Sequence, residues 1–201
     1  MHVTSEVLQR AAGDGRVLSL TFDDGPDLRA TPRLLEVLAV HAVRAVFFLW
    51  GDHVVRHPEV VRDLHAAGHV LGNHSMHHDD LGSWSADDVR ADLLETDDAI
   101  AAAVPGAPVP WFRAPFGSWG ASPAVAAALG MQPLGWQLAV GDWEPPGVDE
   151  LVRRVVSGIE PGGVLLLHDG GGDRTQTVDA VERLLPLLVA DGWSFALPAT
   201  A

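Results

Sequence analysis

The chain has no Cys and no Tyr, and because all 13 of its basic residues are Arg it has no Lys either. Each absence removes a chemistry. Without Cys there is no thiol nucleophile and no thiolate-held zinc or iron–sulfur site. Without Lys there is no Schiff base and no P-loop lysine, and without Tyr no tyrosyl nucleophile. Catalysis is left to carboxylates, the 10 His, Ser/Thr, Arg or a metal.

Positive charge is also scarce. With 27 acidic residues the formal charge is −14, and such a field repels phosphate backbones, so nucleic acid is not expected as a partner. No apolar run approaches the ~18 residues of a membrane span. The start, Met1-His2-Val3-Thr4-Ser5-Glu6, lacks a basic stretch followed by an apolar one. A soluble, cytoplasmic protein is expected from the chain as it stands, or a secreted or cell-surface one where a leader has been removed. The lack of Cys leaves redox compartment open, and oligomeric state is not legible.

What is present is an ordinary globular composition: 201 residues, 47% hydrophobic, 20% charged, with 21 Gly and 14 Pro. That length suits one domain over 1–201. Short apolar runs alternate with helical periodicity, the pattern of βα units around a mainly parallel sheet. Strands are expected at Val17–Phe22, Ala45–Leu49, His69–Asn73, Trp111–Arg113, Gln132–Val140, Gly163–His168 and Trp193–Ala196. Helices are expected after Thr31-Pro32 as N-cap and N1, at Pro58–Ala67, from a Ser85 cap toward Val104, and at Pro123–Leu129, Val148–Ser157 and Thr175–Ala190. A doubly wound sheet and a βα barrel smaller than usual both satisfy this order.

The reactive residues fall just past strand after strand: Asp23-Asp24-Gly25-Pro26, Asn73 to His78, Arg113 to Gly117, Asp142-Trp143, and His168-Asp169. In parallel α/β folds those ends build the active site. His74 and His78 share a side of one helical turn and can grip one ion, with His77 a competing partner for His74. A carboxylate from the first strand end completes a catalytic-type site with an open position. An H-x-x-x-H pattern also suits a His-rich surface turn, and Asp-Asp-Gly-Pro an ordinary turn.

Adjacent Asp23 and Asp24 would point to opposite faces of a regular strand, unless Gly25-Pro26 ends it and turns both inward. One acid can then hold a metal while the other acts as base. His168, running exposed from a buried strand, suits a general acid or a satisfied core residue. Asp142 suits its orienter, and Arg113 either a surface charge or the partner that keeps Asp23 ionised. Gly170 to Gly172 resemble a phosphate loop faintly, with no Lys following. Trp84, Trp119 and Trp143 suit buried packing or, where exposed, stacking on a ligand.

In order, Thr21-Phe22-Asp23-Asp24-Gly25-Pro26, His74-Ser75-Met76-His77-His78, Arg113-Ala114-Pro115-Phe116-Gly117, Asp142-Trp143-Glu144-Pro145-Pro146 and Leu166-Leu167-His168-Asp169 resemble the five motifs of the polysaccharide deacetylase family. That family is also called carbohydrate esterase family 4 or the NodB homology domain, and the likeness spans about 16–196. The resemblance implies an α/β fold, a distorted, incomplete (β/α) barrel of about seven parallel strands with outer helices. It implies a hydrolase that removes acetyl groups from N-acetylated sugars of the chitooligosaccharide or peptidoglycan type.

By that likeness Asp24, His74 and His78 bind a divalent metal, usually Zn2+, with Co2+ or another divalent ion as alternatives. Asp23 is the base, His168 the acid, Asp142 its tuning partner and Arg113 the support of Asp23. The Phe116 backbone N–H stabilises the oxyanion, while Trp143 and Leu166 wall the acetyl pocket. Two positions depart from the pattern: Phe116 replaces the usual Tyr, and Asp79 stands where Pro commonly follows the second motif. The alternatives are a small-molecule amide as substrate, O-deacetylation of the acetylxylan type, and an inactive carbohydrate-binding module.

Overall fold

The computed structural model describes residues 2–200; Met1 and Ala201, the ends of the expected domain, lie outside them. Eight strands form one sheet: β1 (Val17–Gly25), β2 (Val46–Leu49), β3 (Val70–Asn73), β4 (Trp111–Phe112), β5 (Gln132–Pro133), β6 (Leu138–Ala139), β7 (Gly163–His168) and β8 (Ser194–Phe195). Their order is β5-β4-β3-β2-β1-β7-β6, with β8 paired to β1, and every pairing is parallel. The sheet is left open between β5 and β6, as an incomplete barrel requires. Among the described residues seven α-helices accompany it: α1 (Ala30–Val40), α2 (Gly51–Arg56), α3 (Pro58–Ala66), α4 (Ala86–Ala103), α5 (Ser122–Ala128), α6 (Val148–Gly158) and α7 (Thr175–Ala190). Among the described residues no helix is long and apolar enough to cross a membrane.

Side-chain alternation sorts each central strand onto two faces. Leu18, Leu20 and Phe22 of β1, Phe47 and Leu49 of β2, and Leu165 and Leu167 of β7 join the helices in the larger core. The other face holds Val46, Phe48, Trp111, Leu134 and Val164, the apolar filling of the barrel interior. Gly72 of β3 is required there, since a Cβ on it would lie 2.6 Å from Phe48 Cδ1. Asp23 and His168, partners across β1 and β7, share the interior parity of Thr21 and Leu166.

The single strand expected at Gln132–Val140 is two strands on opposite edges. Gln132 pairs with Trp111 of β4, and Leu138 with Leu165 of β7. Leu134 N still donates to Phe112 O of β4 at 2.9 Å, but Gly135 N turns to Leu8 O at 2.8 Å and Gln137 N to Val164 O at 2.9 Å, so the chain from Leu134 to Gln137 crosses the barrel opening. The expected cap of α1 also differs. Thr31 lies inside the helix, and Asp27 Oδ1 accepts from the N–H groups of Arg29 and Ala30, each at 2.8 Å. Thr31 Oγ1 accepts from Asp27 N at 2.8 Å and donates to Asp169.

Ser85 caps α4 as expected, accepting from Asp88 N. The helix over Thr175–Ala190 persists through Pro186 because that residue sits on its solvent face. An interior Pro costs about 3 kcal/mol. Burying Val178, Val181, Leu184, Leu185 and Leu188 at about 1.5–3 kcal/mol each outweighs it.

Candidate active site

Both Asp23 and Asp24 reach one pocket because β1 carries a bulge. Asp23 pairs with Phe48 and Gly25 with Leu49, so Asp24 is the extra residue, in the left-handed region at φ 70°. A bulged residue leaves the alternation, and its side chain is re-aimed. The strand therefore continues through the two acids to Gly25 rather than ending before them. Gly170 makes room for this: a Cβ there would lie 2.0 Å from the Asp24 carbonyl oxygen. Gly171 does the same on the side-chain side, a Cβ there lying 2.6 Å from Asp24 Oδ2, so two of the three glycines after Asp169 give room to the bulge, while Gly172 lies beside Arg174.

His74 and His78 converge, but not on a helical turn. Residues 74–80 are irregular, with Ser75 at φ 66° and His78 at φ 56°. Asn73 anchors the segment: its Nδ2 donates to Leu93 O and Asp97 Oδ1, both 2.9 Å, and its Oδ1 accepts from Ser75 N at 3.0 Å. Ser75 Oγ then accepts from His78 N at 3.1 Å. These side chains take the N–H groups that a helix would have used. His77 turns away, its Nδ1 3.2 Å from Asp52 Oδ2, so it does not compete for His74.

His74 Nδ1 donates to Arg113 O at 2.8 Å, which turns Nε2 into the site. That nitrogen is 3.3 Å from Asp24 Oδ1, and His78 Nε2 is 3.1 Å from the same oxygen. Asp24 Oδ1 is buried without a hydrogen-bond donor, and the three ligand atoms lie within 4.8 Å of one another. An orphaned carboxylate oxygen facing two imidazole nitrogens fits a divalent cation. Burial opposes ionisation of Asp24, but His74 and His78 carry its pKa well below the usual carboxylate range. Burial likewise opposes charge on His74, and Asp23 and Asp24 outweigh it, raising that pKa.

Arg113 is fully buried, not a surface charge. Its Nη1 donates to Asp23 Oδ1 at 2.7 Å and Thr21 Oγ1 at 2.9 Å. Its Nε and Nη2 donate to the Leu134 and Gly135 carbonyls at 3.0 and 2.9 Å. The guanidinium lies 4.1 Å over the Phe48 ring and 5.6 Å from that of Trp136. One oxygen of Asp23 is thus fixed, and Oδ2 faces His74 Nε2 at 3.7 Å.

His168 is less open than its sequence context suggests, with its side chain 12% exposed. Its Nδ1 donates to Asp142 Oδ1 and its backbone N–H to Asp142 Oδ2, both at 2.8 Å. Thr177 Oγ1 donates to Asp142 Oδ2 at 2.9 Å. Burial pulls the His168 pKa down. The bond and charge of Asp142, with the charges of Asp23 and Asp24, more than offset it and raise the pKa above 6.5.

These groups open into a cleft of about 410 Å³, walled by Ala114, Phe116, Gly117, Trp136, Trp143 and Leu166. Phe116 sits at φ 58° and is 70% exposed, its ring edge-on to His78 at 4.7 Å. Trp143 meets His168 edge-on at 5.4 Å. Trp84 and Trp119 pack instead around Leu81 and Phe112. The fold brings Asp23, Asp24, His74, His78, Phe116, Trp143, Leu166 and His168 to one cleft, with Arg113 and Asp142 buried behind Asp23 and His168.

Trp136, whose ring caps Gly117 and faces Arg113, has no signal in the sequence, because Gln132–Val140 reads as one strand. Asp169 stands among the strand-end residues of the sequence, which gives it no role of its own. Fully buried beside Gly25, it accepts from Thr31, and burial pushes its carboxyl up to about 7. Asp79 is exposed and does not enter the cleft lining.

The family model described as polysaccharide deacetylase matches residues 10–134. The chain is 36% identical over 205 residues, 96% of this chain and 95% of the relative, to a chitooligosaccharide deacetylase of Rhizobium leguminosarum bv. trifolii. It is 34% identical over 195 residues, 96% of this chain and 91% of the relative, to a peptidoglycan-N-acetylglucosamine deacetylase of Bacillus cereus. Among solved structures, a peptidoglycan N-acetylglucosamine deacetylase in complex with 4-naphthalen-1-yl-N-oxidanyl-benzamide superposes with a TM-score of 0.89 at 29% identity, covering 96% of this chain and 90% of that one.

Proposed function

The chain belongs to the polysaccharide deacetylase family, and on that premise we propose that it hydrolyses the N-acetyl amide of chitooligosaccharide- or peptidoglycan-type sugars to acetate and a free amine. One observation carries the reading. A carboxylate aimed by a buried arginine and an imidazole backed by a carboxylate face one cleft beside an Asp-His-His set. All five segments belong to one deacetylase domain over 1–201.

Asp24, His74 and His78 would hold a divalent metal, and two imidazole nitrogens with one carboxylate and an open position suit Zn2+. When bound, such an ion polarises the acetyl carbonyl and lowers the pKa of a water toward ~7. Asp23 Oδ2 accepts the proton of the attacking water, while Arg113 keeps Oδ1 occupied and the carboxylate in place. Among the described residues the Phe116 N–H has no acceptor in the protein, so it is free to donate to the oxyanion. A donor of this kind contributes about 3–4 kcal/mol. This needs no ring hydroxyl, so the Tyr-to-Phe departure leaves it intact.

His168 donates Nδ1–H to Asp142, leaving Nε2 for the cleft. As the imidazolium it protonates the leaving amine. Leu166 and Trp143 form the apolar wall for the acetyl methyl group. The cleft volume of about 410 Å³ lies within the ~300–1,000 Å³ of small-ligand sites, which supports a small acetylated amide as the second reading.

Acetate release is measured against acetylated chitooligosaccharides, peptidoglycan fragments, acetylxylan and small acetamides, with bound metal assayed by elemental analysis. Turnover on the N-acetylated sugars, lost on chelation and restored by Zn2+ or Co2+, is the expected result. Full activity in a metal-free preparation refutes the metal's part. Sugar binding without turnover on any substrate favours an inactive binding module.

A further inference from the structure

The short helix α2 and the residue before it lie between the two loops that carry the metal-ligating side chains. On one side, Trp50 N donates to Gly25 O at 2.9 Å, and His53 Nδ1 lies 2.7 Å from the carbonyl oxygen of Asp24. On the other, Gly51 N donates to Ser75 O at 3.0 Å and Asp52 N to Met76 O at 2.9 Å. A carbonyl can only accept, so His53 Nδ1 carries the proton. The Trp50 ring lies 4.2 Å from that of His53 and 5.0 Å from that of His78.

We infer that Trp50 to His53 form a clasp that sets the separation of Asp24 from His74 and His78, and that His53 is a positioning residue for metal binding. Asp24 is in the left-handed region, which a β-strand does not support by itself. His53 is the side chain that bonds its carbonyl, against which Gly170 also packs closely. Loss of the His53 N–H frees that carbonyl to rotate and moves the carboxylate off the two imidazoles. Partners that orient a ligand in this way are worth about 10–100-fold in metal affinity.

This inference rests on the metal reading proposed above, and the experiment separates the two. Metal-stripped protein is titrated with Zn2+ in competition with a chromophoric chelator, and the Co2+ form is followed by its visible spectrum. His53→Phe keeps a ring against Trp50 but has no donor. His53→Asn keeps an N–H near Nδ1 but has no ring. The expected result is a roughly 10–100-fold higher Kd and an altered Co2+ spectrum for His53→Phe, with His53→Asn close to the parent. Equal affinity in His53→Phe and the parent, or equal weakening in both variants, overturns the clasp while leaving the metal site standing. A parent protein that binds neither ion overturns both.

Discussion

Replacing Arg113 tests whether one residue serves both the interior and the site. Arg113→Met keeps much of the apolar volume against Phe48 and Trp136 but removes every donor. Asp23 Oδ1, Thr21 Oγ1 and the Leu134 and Gly135 carbonyls then lose a bond each, and the Asp23 carboxylate stays buried without its partner. Removing one member of a buried pair costs about 3–5 kcal/mol. In a domain whose whole stability is about 5–15 kcal/mol, that is a large share. At about 2–4 °C per kcal/mol for a chain of this size, Tm falls by about 6–20 °C. Urea unfolding with chelator present, at a pH of about 7.5, reads the loss without metal compensation. The double variant Arg113→Met/Asp23→Leu also removes the stranded charge, and it loses less than the single one, the mark of direct coupling. A single-variant loss under about 1 kcal/mol, or a double variant no better than the single, refutes the reasoning.

Asp142→Asn weakens the contact that holds the His168 pKa up. An acid must be protonated to act, so activity is lost as pH rises through that pKa, and the variant's basic limb moves to lower pH. Its kcat falls about 10–100-fold, as for other orienting partners; a pH–rate profile checks both, and an unmoved limb refutes it. Asp169 titrates near 7 in the folded chain against an ordinary 3.8. Its folded pKa is raised, so its stabilising share is complete below about pH 4 and lost as pH rises through about 7. Asp169→Asn therefore narrows the difference in urea midpoint between about pH 5 and pH 8, and an unchanged difference counts against a buried, protonated Asp169.

Much of this was legible because strand alternation and strand ends are local signals. Leu18, Leu20 and Phe22 announce one face of β1, and the acids, histidines and arginine follow strands in order. What was not legible depends on contacts distant in sequence. Gln132–Val140 reads as one strand because nothing local says that its halves pair with β4 and β7 on opposite edges. The His74–His78 spacing suits a helical turn, yet Asn73 and Ser75 capture the N–H groups through bonds visible only in three dimensions. Thr31 has the look of a cap, but Asp27 reaches the helix end first. Helix α2 is too short to show a period, and it buries only Gly51 and Val54, so Trp50 and His53 gave no sign of standing beside the site.

The bulge at Asp24 has a mechanical consequence. Asp23 and Asp24, the proposed base and the proposed ligand, are consecutive residues of one strand, so a single peptide unit limits how far their backbones part, while Arg113 and His53 set the directions of the two side chains. A displacement of β1 relative to β7 or to the 74–78 loop would change the distances from this pair to His168 and to the two histidines, but not the spacing of the two Cα atoms, which one trans peptide holds at about 3.8 Å. In the proposed mechanism, a water on a metal held by Asp24 would therefore stay near the Asp23 carboxylate. Adjacency in the chain thus makes the proposed proton transfer less sensitive to shifts of the other loops than the contacts to His168 are.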